Sequence, residues 1–178
     1  VDVRMALAGR LVELLPNRGA IAVELTEDDV LHTFEVMAGL EAQSGELAAQ
    51  RITDAELAEI KAMHYEMMAA YTRRDLPAYY RLNAAIHAAI NAAAKNPVLT
   101  ATYKQVNARL QALRFRSNQD GDKWRAAVKE HEMMIEALSA RDPVAMRTVL
   151  ASHLGNKLSV VIEQLRAAQS ARQTPAKA

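Results

Sequence analysis

The chain has 178 residues, 22 Lys+Arg against 21 Asp+Glu, with 51% hydrophobic and 24% charged residues. That balance is globular, and it excludes an all-over basic nucleic-acid coat or an acidic disordered tail as the main business of the chain. Aromatics at 4% exclude stacking platforms for single strands, and the absence of cysteine excludes disulfides, thiolate zinc fingers, iron–sulfur clusters and a cysteine nucleophile.

Six glycines and five prolines are few interruptions, which favours long helices. The start is the exception. Residues 11–15, then Pro16-Asn17-Arg18-Gly19, then residues 20–23 read as strand, tight turn and strand, with Arg18 at the tip. Thr26 caps a first helix, Glu27, Asp28 and Asp29 suit its positive end, and Leu25 with Val30 forms a staple. The pattern carries that helix to about residue 50. Thr53 with Glu56 is a capping box that opens a second helix, to about residue 74. Asp75-Leu76-Pro77 starts a third, which ends near Asn96-Pro97. A fourth spans about residues 98–117, followed by a loop at 117–122, and a fifth about 123–140. Asp142-Pro143 opens a sixth, which fades near Gln169, and residues 170–178 read as disordered. The predicted fold is all-α: an antiparallel six-helix bundle preceded by a short β-hairpin.

Three of the five histidines sit on apolar stripes. Ile86 and Ile90 flank His87; Val128, Ile135 and Leu138 share a face with His131; Leu150, Leu154, Leu158 and Val161 accompany His153. At about 3.6 residues per turn, each imidazole points towards the bundle core. A buried neutral imidazole must place a donor and an acceptor, and leaving them unmet costs about 1–3 kcal/mol. Two readings stay open. The three are ordinary packed histidines, or one metal ion takes a ring nitrogen from each, with Asn83, one turn before His87, as a fourth ligand. His64, near Ile60, Met67, Met68 and Tyr71, and His32, close to a helix start, read as packed or half-exposed. The eight methionines are mostly core filler, with Met37, Met133 and Met134 as candidate cavity lining.

Together these features resemble the GntR superfamily of bacterial transcription regulators, in the FadR-like branch whose all-helical effector domain is called FCD. Residues 11–23 look like the family's wing, and Leu25-Thr26-Glu27-Asp28-Asp29-Val30 like the entry into its first effector helix. Glu41 and Leu47-Ala48-Ala49 fit that helix. Asn83-Ala84-Ala85-Ile86-His87, then Asn96-Pro97, resembles the family's Asp/Asn-x-x-x-His helix and its exit. Glu130-His131 with Ala137-Leu138, and Arg141-Asp142-Pro143 with Ala145 and His153, are similar to the last two helices. The resemblance covers about residues 11–165.

It implies that Asn83, His87, His131 and His153 coordinate a divalent cation, zinc or nickel, beneath a pocket for a small carboxylate-bearing effector. It also divides the chain into a winged helix-turn-helix remnant over 1–24, an FCD-like domain over 25–169 and a tail over 170–178. Val3-Arg4 and Ala6-Leu7 resemble the end of a recognition helix that is otherwise mostly absent, so poor operator binding is expected of this chain alone. Met37 stands where the family often carries a pocket-facing arginine. Asn83 replaces the commoner aspartate and leaves a ligand set without negative charge.

The expected function is a ligand-responsive regulator whose effector shifts a homodimer between arrangements that meet operator DNA differently. Arg4 is the candidate for the major groove, and Arg18 with Gly19 for the backbone or minor groove. Tyr103, Asn107, Arg109 and Arg114 on the fourth helix, together with Met37, are the candidate effector contacts. The arginines would pair with a carboxylate; the alternative is snorkelling to solvent. The competing functions are a metal-dependent hydrolase and a purely structural helical bundle. Against the hydrolase, there is no Gly-rich phosphate loop, nucleophile elbow or His-Glu-x-x-His, and helical geometry swings Glu130 and Glu132 away from the face of His131. An enzyme is not expected. No apolar run approaches the roughly 18 residues of a bilayer span and the start lacks a signal-peptide layout, so a soluble, cytoplasmic protein with no membrane partner is expected.

Overall fold

A computed structural model describes residues 12–15, 19–22, 26–114 and 121–173, with side chains within 26–110 and 123–167. The bundle begins at a capping box. The Thr26 hydroxyl accepts from the Asp29 N–H at 3.1 Å, and the Asp29 carboxylate accepts from the Thr26 N–H at 3.1 Å. Helix α1 then runs Glu27–Arg51 and buries Val30, Phe34, Met37, Glu41, Gly45 and Ala48 along one face. Thr53 and Glu56 repeat the device for α2, Asp54–Thr72. Asp75 caps α3, Leu76–Ala93. Helices α4 (Pro97–Arg114), α5 (Gly121–Ser139) and α6 (Pro143–Gln173) complete the bundle.

Three helix ends lack the glycine that usually marks them, and past the end of α3 Lys95 takes left-handed backbone at φ 51°. Arg74 and Arg141 take left-handed backbone at φ 60° and 51°. The Asp75 N–H reaches the Ala70 carbonyl and the Arg74 N–H the Tyr71 carbonyl; Asp142 to Ala137 and Arg141 to Leu138 repeat the pattern. These are Schellman caps. The Arg141 side chain adds bonds to the Ile52 carbonyl at 2.5 Å and Asp54 Oδ1 at 2.7 Å, tying the end of α5 to the α1–α2 corner.

Helix α6 continues past the expected end near Gln169 and reaches Gln173. Ser170 is followed by Ala171, Arg172 and Gln173, whose propensities sustain a helix, and the rest of the tail lies outside the described residues. Helix α4 is described to Arg114, its expected end near Ser117 lies outside the described residues, and so does the expected Leu25–Val30 staple because Leu25 does. Strands β1, Val12–Leu15, and β2, Gly19–Ala22, pair antiparallel with Leu15 opposite Gly19. Among the described residues they pack on no helix, so the bundle itself is all-α. No described helix is long and apolar enough to cross a membrane.

Helix α1 packs most closely on α6, and Gly45 sets the approach. A Cβ there would stand 2.3 Å from Leu150 Cδ1 and 3.3 Å from the Met146 carbonyl oxygen, whereas one at Gly39 or Gly155 meets nothing within 4 Å. Gly45→Ala should therefore destabilise by about 1–3 kcal/mol despite its better helix propensity. Gly39→Ala and Gly155→Ala should stabilise by up to about 1 kcal/mol. Urea melts of the three variants check the opposite signs; a stabilised Gly45→Ala would contradict this packing.

Lys95, at the end of α3, pairs with Glu56, which also caps α2. The lysine bond first, then the Thr53 N–H and hydroxyl, hold the Glu56 carboxyl down at about 2 from an ordinary 4.5. Because the folded value is the lower one, this contribution is complete above 4.5 and lost as pH falls through about 2. The stability gap between wild type and Glu56→Gln should close across that window. Urea midpoints along a pH series read it, and a gap that stays constant would break the assignment.

Candidate metal centre

Helix α3 presents Asn83 and His87 one turn apart, α5 presents His131 and α6 presents His153. All four are buried, His131 completely. The ring centroids form a nearly equilateral triangle, 5.2 Å from His87 to His131, 5.3 Å from His87 to His153 and 5.2 Å from His131 to His153. One ring nitrogen from each falls within 4.8 Å of the others. Among the described residues no Cα of α3 comes within 8 Å of α5 or α6, so the imidazoles themselves span the gap.

Two carboxylates stand behind the triangle. Glu41 of α1, 2% exposed, brings Oε2 to 2.8 Å from His87 Nδ1. Glu130 of α5 brings Oε2 to 2.6 Å from His153 Nδ1, and its other oxygen accepts from Asn156 Nδ2. An Nδ1–H donated to a carboxylate leaves Nε2 as the lone-pair nitrogen. His87 Nε2 and both nitrogens of His131 are buried with no hydrogen-bond partner among the described residues. Burial first, then the neighbouring His87, His153 and Lys157, push the His131 imidazole well below its usual range and keep it neutral. Buried imidazoles from three helices, with one ring nitrogen of each within 4.8 Å of the others, fit a divalent ion of the zinc or nickel kind.

Glu130 adds a partner that helical geometry did not name. It does leave the face of His131, but that brings it across to His153 on α6. Glu132 stays exposed as expected. Glu41 was legible as an acid on a buried stripe, seven residues after Phe34 and four after Met37, although its partner on α3 was not. His64 is 5% exposed, and His32 is exposed.

The effector candidates separate into two groups. Met37 and Tyr103 are buried in an apolar cluster with Phe34, Leu110 and Leu154. Asn107 and Arg109 are half-buried, and Arg109 Nε is enclosed without a hydrogen-bond partner. A cavity of about 120 Å³ opens instead between α5 and α6, lined by Lys123, Glu130, Asn156 and Lys157 among others. None of the effector candidates lines it. Gly19 opens strand β2, while Arg4, Arg18 and the side chain of Arg114 lie outside the described residues.

The FCD domain family matches residues 32–156. No curated protein sequence matches the chain. Among solved structures it is similar to Escherichia coli McbR/YncC, with a TM-score of 0.81 at 18% identity over 91% of this chain and 81% of that one. Streptococcus agalactiae GntR gives 0.65 at 19% identity, over 88% and 78%. A GntR-family transcriptional regulator from Pseudomonas syringae gives 0.64 at 18%, over 93% and 69%. At such identities the likeness shows the fold, while the family match spans most of the chain. The chain belongs to the FCD domain family of GntR-type transcription regulators, which are not enzymes, and the hydrolase alternative falls away.

Proposed function

We propose that the helical domain over residues 25–169 holds a divalent ion, zinc or nickel, through Asn83, His87, His131 and His153, and senses a small carboxylate effector beside it. The observation that carries the reading is the triangle of buried imidazoles from three helices. Unliganded, its unpartnered nitrogens would each cost about 1–3 kcal/mol. A purely structural role leaves that cost without a return. When bound, the ion supplies an electrophilic centre that a carboxylate oxygen can approach. Met37, Tyr103, Asn107 and Arg109 are proposed to shape the effector pocket, with Arg109 offering a guanidinium to the anion.

Effector uptake beside the metal ligands of α3, α5 and α6, in a pocket shaped by α1 and α4, would bias how those helices pack, and hence how two subunits present their DNA-reading elements. Residues 1–24 are proposed as part of that reading head, the hairpin serving as its wing. Arg18 and Gly19 would lie near the phosphate backbone and Arg4 near the major groove. Native mass spectrometry on protein purified without chelator tests the assembly. The expected species is a homodimer with one divalent ion per subunit. A metal-free species that takes up neither zinc nor nickel on addition would defeat the metal-dependent reading.

A further inference from the structure

We infer that Glu41 and Glu130 are the positioning carboxylates of the metal centre and supply the negative charge that its direct ligands lack; this rests on the metal reading above. Three neutral imidazoles and the Asn83 amide bring no charge to a divalent ion. Each glutamate comes from a different helix than the histidine it touches, α1 to α3 for Glu41 and α5 to α6 for Glu130. Both contacts fall on Nδ1; the hydrogen bond at His153 favours the tautomer with Nε2 open and makes that ring a better donor, and Glu41 lies at ion-pair distance from the same atom of His87. Glu130 is held at both oxygens, by His153 and Asn156. Lys157, itself buried, lies close enough to temper the Glu130 charge.

Burying a carboxylate is costly, and a pair kept only for packing would often be replaced by apolar side chains at no loss. His131 meets no carboxylate among the described residues, which makes the support uneven: His153 is hydrogen-bonded to Glu130, His87 stands at ion-pair distance from Glu41, and His131 is placed by packing. The carboxylates therefore belong to the ligands rather than to the core in general.

Glu41→Gln and Glu130→Gln keep shape and an acceptor oxygen while removing the charge. Zinc affinity measured by competition with a chromophoric chelator should fall about 10- to 100-fold for each. Thermal midpoints in excess chelator should change little, because the apo bundle does not need the charge. Adding Asn83→Asp to Glu130→Gln should recover zinc affinity, since it returns a negative charge to the site from another helix. Because Asn83→Asp tightens zinc binding by itself, the readout is the excess: its gain should be larger in Glu130→Gln than in wild type, whereas a merely structural glutamate would give equal gains in both. If both glutamine variants bind zinc like wild type while His131→Ala does not, the inference fails and the metal reading stands. If wild type itself binds no zinc, the metal reading fails first. Lost affinity that Asn83→Asp leaves unrecovered would overturn the charge supply.

Discussion

His87→Ala, His131→Ala and His153→Ala should each lower zinc or nickel affinity by at least about 100-fold and remove most of the stabilisation that metal confers. A native-state ligand at 100 times its Kd stabilises by about 2.7 kcal/mol, so wild type should melt several degrees higher with metal than with chelator. The variants should show almost no such difference. The effects should not add, because all three rings serve one site and removing a second donor takes away less than removing the first. In excess chelator the sign for His131 is itself informative. Its two unpartnered nitrogens make the apo imidazole a burden, while alanine leaves a void among packed side chains. These oppose, and His131→Ala should be close to neutral without metal. Equal destabilisation with and without metal, in all three variants, would make them packing histidines and nothing more.

The histidine triangle was legible because helical periodicity needs only local sequence. His131 with Val128 and Ile135, and His153 with Leu150 and Leu154, declare a buried face before any tertiary contact is known. The caps were legible for the same reason, since Thr26 to Asp29 and Thr53 to Glu56 lie within one turn. Glu130 was not, because its partner is 23 residues away on another helix and its angle around α5 pointed to no particular neighbour. Helix ends at Arg74 and Arg141 were blurred because long cationic side chains occupy left-handed backbone, where glycine is the usual signal. The effector candidates came from α4 and, with Met37, from α1, and the fold divides those with described side chains between an apolar cluster and a half-buried face. Periodicity shows which residues face inward; it does not show what they face.

Asn83→Asp should move metal and effector in opposite directions. The asparagine is buried one turn before His87 and contributes an amide where an aspartate would add a full negative charge. At separations of about 4 Å and an effective dielectric near 20, one charge interacts with another by about 4 kcal/mol before desolvation is subtracted. Much of that is lost in burying the new carboxylate, and about 10- to 100-fold tighter metal binding is the expected remainder. Glu41 and Glu130 already set negative charge behind the histidines, so the aspartate pushes the site past balance instead of towards it. A carboxylate effector then approaches a centre that attracts it less, and its affinity should fall about tenfold or more. Asn83→Gln, neutral but longer, should weaken metal binding through misplaced geometry without that opposed pair of changes. Calorimetric titrations with zinc, then with a simple organic acid such as acetate or citrate on the zinc-loaded protein, separate the two quantities at one pH. If the aspartate form takes up both partners more tightly, or neither differently, charge balance does not set the selectivity of this site.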